Sequence, residues 1–369
     1  MTDLRMGSTP VRKAWRSGLA VRLALQPWFH RFCARVPGLS HLAKAEGEAL
    51  FSIVSGFVQS QALLALVELR ILQRLAEGPA PLAGLARGAD IAPERLAILL
   101  QSGAGLRLLR RRGDQWHLTA RGAAFLAVPG LDAMVRHHPV LYRDLSDPVA
   151  FFKGQTRPEL ADFWPYVFGA GGAADPALAA RYSALMSDSQ ALVAEDTLRL
   201  VGWRGIRRLM DVGGGTGAFL AAVAKARPGI ALTLFDLPAV VAGARLGPSV
   251  TIVPGSFRDD PLPRGADAIS LIRVLYDHAD ATVAALLRAV HDALPPGGRL
   301  IISEPMSGGD RPDPATDVYF GVYTLAMQTG RTRSASEIAA LCRAAGFRDI
   351  RVHPGHRPFV TSAITARRR

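Results

Sequence analysis

Apolar positions recur along this chain in two rhythms, and the change from one to the other divides it. In residues 49–76, Phe51, Val54, Val58, Ala62, Leu66 and Leu69 are spaced by three or four, which predicts a helix ended by Pro79 and Pro81. Leu82–Ala86 and Ile91–Leu100 predict two short helices, the second with Pro93 just inside its first turn. Leu106–Leu109 can then pair with Gln115–Thr119 across a turn at Arg112-Gly113-Asp114, and two short helices followed by a hairpin make a winged helix. From residue 206 short apolar runs alternate with helical ones. Strands are predicted at 208–212, 231–236, 250–254, 266–272 and 298–304, then at 347–353 and 359–366, which is an α/β pattern. The expected segments are 1–44, a basic arm; 45–125, the winged helix; 126–205, a helical linker rich in large apolar side chains; and 206–369, the α/β domain.

The strand Leu209-Met210-Asp211-Val212 runs into Gly213-Gly214-Gly215-Thr216-Gly217 and then into a helical Ala218–Ala224. Glycines at 213, 215 and 217 let the backbone turn sharply and approach a ligand that a Cβ would block. Nineteen residues past Gly217 a second strand ends in Asp236, where a carboxylate can accept hydrogen bonds from both hydroxyls of a ribose. A Rossmann-like, doubly wound sheet binding a nucleoside follows. The spacing Gly-x-Gly-x-Gly fits a nicotinamide or flavin fingerprint poorly, and no lysine or arginine stands near to meet a diphosphate.

Composition narrows the class further. With 49% hydrophobic residues the chain reads as globular, and it has no uninterrupted apolar run of spanning length. Two distant cysteines, Cys33 and Cys342, predict no disulfide framework and suit a reducing cytoplasm. The net charge of +13 is uneven: residues 1–44 hold Arg5, Arg12, Lys13, Arg16, Arg22, Arg31, Arg35 and Lys44 against Asp3 alone. Trp15, Leu19 and Leu23 make an apolar stripe before Pro27 interrupts it. Such an arm can lie on an anionic membrane surface or pack on a partner subunit. DNA binding is disfavoured, since the second winged-helix helix offers only Glu94, Arg95 and Gln101, leaving Arg110, Arg111 and Arg112 at the wing. His137-His138 lacks the spacing of a zinc site and no cysteine pair accompanies it, so no metal is expected.

Asp-Val-Gly-Gly-Gly-Thr-Gly with the later Phe235-Asp236-Leu237-Pro238 resembles the S-adenosylmethionine (SAM) site of class I methyltransferases, in particular the plant-type small-molecule O-methyltransferases. The resemblance implies a seven-stranded sheet whose final strand inserts antiparallel, a winged-helix domain used for homodimerisation, and SAM as cofactor. It implies cofactor contacts from Asp211, which orients the loop from behind, from Gly213, Gly215 and Gly217, and from Asp236, Leu237, Ser256, Phe257 and Arg273. Tyr182-Ser183-Ala184-Leu185-Met186 resembles the segment whose methionine packs on the acceptor, with Tyr142 and His138 as further acceptor-side candidates.

The family's base is a histidine in a Leu-His-Asp-Trp segment, and the matching Leu275-Tyr276-Asp277-His278 has tyrosine there and histidine in place of tryptophan. Tyr276, Glu304 and His278 are therefore the catalytic candidates, although a phenol of pKa ~10 is a weak base at neutral pH. Thr332 replaces the second supporting glutamate, and Ser256 replaces an aspartate. Ser256-Phe257-Arg258-Asp259-Asp260-Pro261-Leu262-Pro263 and Arg273–Asp280 bring the likeness closest to the bacterial hydroxycarotenoid O-methyltransferases. This implies a membrane-dissolved acceptor, the C-1 tertiary hydroxyl of an acyclic carotenoid. A C-methyltransferase of a bacteriochlorophyll precursor and a polyketide or phenol O-methyltransferase are the related alternatives.

Overall fold

The computed structural model describes residues 18–162 and 190–369, and the chain divides into two compact units, Met1–Gly122 and Ala123–Arg369. In the first unit, helices span Pro27–Arg35, Leu39–Glu68 and Ile71–Glu77. The long helix starts ten residues earlier than the spacing of apolar positions predicts. It also breaks at Leu69-Arg70, where Arg70 takes a left-handed φ of 55°. Its C-terminal end is buried at Leu66 and Val67, whereas Leu50, Phe51, Ile53, Val54, Phe57 and Val58 are all more than half exposed. After β1 (Ala80–Pro81), helices Leu82–Ala89 and Pro93–Gly105 lead into β2 (Leu109–Arg112) and β3 (Gln115–Leu118), in the sheet order β1-β3-β2.

The hairpin is present, but its first strand lies at 109–112, three residues beyond the predicted 106–109. Leu106 and Arg107 close the preceding helix instead: Arg107 is left-handed at φ 61° and Leu108 N–H bonds Gly103 O at 2.9 Å. Arg112 pairs with Gln115, so the turn is the two residues Gly113-Asp114, with Gly113 at φ 60°. A glycine there supplies the positive φ that such tight hairpins require.

The second unit holds a seven-stranded sheet ordered β6-β5-β4-β7-β8-β10-β9. The strands are β4 (Arg208–Val212), β5 (Ala231–Asp236), β6 (Val250–Pro254), β7 (Ala268–Ile272), β8 (Arg299–Glu304), β9 (Arg348–His353) and β10 (Ser362–Arg367). β4, β5, β6, β7 and β8 pair in parallel, while β10 inserts antiparallel between β8 and β9. All five residues of β7 are buried, as expected of a central parallel strand covered on both faces. One face packs on helices Asp280–Ala293 and Ala335–Ala344, the other on Ala218–Ala226 and on residues 193–206. Strand order reverses between β4 and β7, and a ligand crevice opens at the carboxyl ends of strands at such a switch point.

Candidate active site

At the switch point the glycine loop is built as its sequence requires. Gly213, Gly215 and Gly217 have φ of 69°, 62° and 87°, and Gly217 starts the helix Ala218–Ala226. A Cβ on Gly213 would press on Val274 at 3.0 Å, and one on Gly214 would strike the Asp211 carboxylate. Asp211 lies fully buried beneath the loop. Ser270 Oγ donates to its Oδ1 at 2.5 Å, its Oδ2 has no partner, and burial pushes its pKa up to about 7.

Asp236 holds the loop to the end of β5. Gly215 N–H donates to Oδ2 and Leu237 N–H to Oδ1, each at 2.7 Å. Burial raises its pKa to about 6 against the pull of those two bonds. Each carboxylate oxygen keeps a lone pair, so the two hydroxyls of a ribose can still be accepted. Left-handed glycines, of which Gly217 has no room for a Cβ against Leu246 and Gly215 faces open space, with an acid at the next strand end, fit the nucleoside of SAM.

Past β6, Ser256 stands where the resemblance calls for an aspartate, and two acids fold back on it. Asp260 Oδ2 accepts from Ser256 N–H and Asp259 Oδ2 from Ser256 Oγ, both at 2.8 Å. The negative charge absent at 256 is thus supplied from 259 and 260, a substitution signalled only by the adjacent Asp-Asp. Phe257 sets its ring edge-on to His278, with centroids 5.2 Å apart.

The acceptor side is assembled from buried side chains. Arg273, at the tip of β7, takes a left-handed φ of 58°. Although expected on the cofactor side, it directs Nε and Nη2 to the Tyr276 hydroxyl at 3.3 and 3.2 Å. Burial raises the Tyr276 pKa above its ordinary value despite Arg273, so the phenol stays protonated. Leu275–Asp277 form one 3-10 turn. Glu304 is fully buried and supports that turn through its backbone: Oε2 accepts from Leu275 N–H at 3.0 Å and Tyr276 N–H at 3.3 Å. Burial lifts the Glu304 pKa to about 7, opposed chiefly by Arg333.

The His278 side chain contacts Arg258 and Phe257. Arg258 Nη2 meets its Nδ1 at 3.1 Å, so that nitrogen accepts and the ring is neutral. Burial, with Arg258 and Arg333 adding to it, drives its pKa down to about 4. A lone pair engaged by a guanidinium is a poor proton acceptor.

Several residues here were not found by reading the sequence. Arg333 is completely buried, donating to Leu275 O at 2.7 Å, His278 O at 2.8 Å and Asp280 Oδ1 at 2.6 Å. Gly330 abuts the backbone of Tyr276 and Asp277 so closely that no Cβ fits. Thr332, between them, is half-buried. On the helix Leu131–Asp144, His138 Nε2 meets Tyr319 Oη and His137 Nε2 meets Tyr323 Oη, each at 2.9 Å. The Tyr319 and Tyr323 rings stack 6.0 Å apart. Tyr142 lies beside His138, with centroids 6.0 Å apart, and its hydroxyl is buried without a partner. Met186 lies outside the described residues.

The sheet, the glycine loop and the strand-end acid together define a class I SAM-dependent methyltransferase. Residues 142–348 match the O-methyltransferase domain family and residues 51–128 the O-methyltransferase dimerisation domain. The chain belongs to this O-methyltransferase family and is a SAM-dependent O-methyltransferase. It is 61% identical to demethylspheroidene O-methyltransferase of Cereibacter sphaeroides, over 95% of this chain and 94% of that one. It is 57% identical to the protein of the same name from Rhodobacter capsulatus, over 98% and 92%. Among solved structures it resembles human N-acetylserotonin methyltransferase in complex with SAM, with 25% identity, a TM-score of 0.73, and coverage of 88% and 97%.

The dimerisation match also bears on the exposed helix. Leu39–Glu68 is long and apolar enough, by length and composition, to cross a membrane, which the lack of an unbroken apolar run did not predict. From residue 51 onward it lies within the match to the O-methyltransferase dimerisation domain.

Proposed function

We propose that this enzyme methylates the C-1 tertiary hydroxyl of an acyclic hydroxycarotenoid such as demethylspheroidene. The observation that carries this is the 61% identity to demethylspheroidene O-methyltransferase, which spans both units. The acceptor side supports it: Tyr142, Tyr319, Phe320 and Tyr323 give an apolar, aromatic surround, with few charges, beside Tyr276. SAM supplies a methyl group on a positively charged sulfur. Gly213, Gly215, Gly217, Asp236 and Leu237 hold the nucleoside, and Ser256 and Phe257 flank the adenine. Tyr276 donates its hydroxyl proton to the acceptor oxygen and aligns it, while Glu304 holds Tyr276 through the backbone. Alignment of reacting atoms supplies much of the rate for an alcohol this weakly acidic. Incubating the enzyme with methyl-labelled SAM and, in parallel, a hydroxycarotenoid, a chlorophyllide and a phenol tests the assignment. Label entering only the chlorophyllide or the phenol sinks it.

The same acceptor is dissolved in a membrane, and we propose that the N-terminal arm meets the cytoplasmic face of that membrane while the enzyme is a homodimer. Trp28 and Phe32, one helical turn apart on Pro27–Arg35, are 52% and 51% exposed, with Arg31 and Arg35 beside them. A basic helix with aromatic residues on one side binds anionic interfaces. Cosedimentation with phosphatidylglycerol vesicles but not phosphatidylcholine vesicles, lost when Trp28 and Phe32 are both changed to serine, is the expected outcome. Equal recovery of the variant with the anionic vesicles would argue against it.

A further inference from the structure

We propose that the carboxylate of Asp277 receives the acceptor's hydroxyl proton, taking the place of the histidine that this chain lacks. It rests on O-methyl transfer alone and not on which alcohol is methylated.

Among the described residues, the other candidate bases near the turn Leu275–Asp277 are hydrogen-bonded or fully buried. The Tyr276 hydroxyl accepts from Arg273, and a buried protonated phenol has little basicity to offer. His278 gives its Nδ1 lone pair to Arg258. Glu304 spends Oε2 on two backbone amides; its Oε1 is also without a partner, but the residue is fully buried and anchored under the turn. Asp277 differs in being only half-buried where Glu304 is fully sealed, and its Oδ1, closed off from solvent, has no hydrogen-bond partner. A buried carboxyl oxygen without a donor is costly to keep and asks for a use.

The turn around Asp277 is fixed from three sides, so the backbone that carries the carboxyl is held in place. Glu304 holds the amides of residues 275 and 276, Arg333 holds the carbonyls of 275 and 278, and Gly330 packs on the backbone of 276 and 277. The groups whose charge reaches Asp277 are Arg273 from β7, Glu304 from β8, Tyr276 on the same turn, and Tyr323 from the helix Gly321–Met327. Behind them stand Tyr319 and His137. Arg331, Arg333 and Asp280 pair with one another on the far side of the turn.

In the transfer, the acceptor oxygen bonds to the methyl carbon, the carbon–sulfur bond breaks with its electron pair going to sulfur, and the hydroxyl proton passes to Asp277. One cation and one anion enter the site and both leave neutral. The charge balance matters because burial, with Glu304 adding to it, raises the Asp277 pKa well above its ordinary value, against the pull of Arg273. Alone, the carboxyl therefore keeps its proton. A sulfonium cation nearby favours the ionised form, as any opposite charge does in a low-dielectric site. Loss of that positive charge on methyl transfer restores the proton affinity of Asp277 as the proton arrives.

This is testable without an acceptor. SAM and S-adenosylhomocysteine differ in one methyl and one positive charge, so calorimetric titration of the full-length enzyme with each, in two buffers of different ionisation enthalpy, counts protons released. We expect SAM to release more protons than S-adenosylhomocysteine near pH 7.5. The difference should vanish in Asp277→Asn and persist in Glu304→Gln. Equal proton counts in the wild type, or a difference that survives Asp277→Asn, overturns the assignment. Kinetically, Asp277→Asn should lower kcat by ~10²-fold or more, the range of a lost general base, and formate should restore part of the rate to Asp277→Ala. An Asp277→Asn enzyme turning over within threefold of wild type would also overturn it. A wild-type enzyme that ignores hydroxycarotenoids defeats the substrate reading and leaves the calorimetric result untouched.

Discussion

The two halves of the site in the second unit are built from different materials. The cofactor half is mostly backbone: three left-handed glycines and the amides of Gly215 and Leu237 gathered by one carboxylate. The acceptor half is mostly buried side chains: Arg273 on Tyr276, Glu304 under the turn, Arg333 through it, and two histidine–tyrosine pairs. Backbone donors serve any chain that can make the turn, whereas side chains can be exchanged one for another. The departures from the family pattern, at Tyr276, His278 and Thr332, accordingly fall in the acceptor half. The cofactor half departs only at Ser256, where Asp259 and Asp260 compensate.

That contrast breaks most visibly at Gly330. Gly330→Ala should displace the turn that carries Tyr276, cost about 1–3 kcal/mol of stability through overpacking, and lower turnover more than a hundredfold. SAM affinity measured by calorimetry should nonetheless stay near wild type, and an equal collapse of both would mean the halves are one unit. Asp236→Ala is the converse. It should weaken SAM by about 1.5–3 kcal/mol, the worth of a charge-assisted hydrogen bond, with unchanged affinity refuting the ribose role. Tyr276→Phe removes a hydroxyl that accepts from Arg273 and faces the acceptor, not the cofactor, in the proposed reaction, so turnover should fall about tenfold, or ~1.4 kcal/mol, with little change in the Michaelis constant for SAM.

A smaller effect lies in pH dependence. His278 has its folded pKa lowered from 6.5 to about 4, so its contribution to stability is complete above pH 6.5 and is lost progressively as pH falls from 6.5 toward 4. At pH 5.5 the loss is about 1 kcal/mol. Urea titrations of wild type and His278→Gln should therefore converge as pH drops from 7.5 to 5.5, and parallel curves would rule out a buried neutral imidazole. Smallest of all, Ser256→Ala should shift SAM affinity by no more than threefold, because Asp259 and Asp260 remain. A larger loss would give the hydroxyl itself the leading role at the adenine.

How far the sequence could be read follows the same division. β4, β5 and β6 lie at the predicted residues, because strands bounded by Gly and Pro show their limits locally. The loop glycines and Asp236 could be found because their geometry depends on residues close in the chain. Arg333 could not: its partners Leu275 and His278 lie more than fifty residues away, and nothing in Gly-Arg-Thr-Arg marks one arginine as buried. Tyr319 and Tyr323 meet histidines some 180 residues distant. The break at Arg70 is hidden for another reason, since any residue can be forced left-handed when burial of Ile71 and Leu72 repays it.

The insertion of β10 between β8 and β9 has a consequence in time. β8 and β9 are made earlier, yet β8, paired with β7 on one side, lacks its second neighbour and β9 lacks any until Ser362–Arg367 has emerged. During synthesis the winged helix can fold as soon as it is complete, while the catalytic sheet waits with the flank of β8 bare. A bare strand edge invites pairing with another chain. Between the synthesis of Glu304 and that of Arg367, the flank of β8 is the edge of the sheet that the chain has yet to cover.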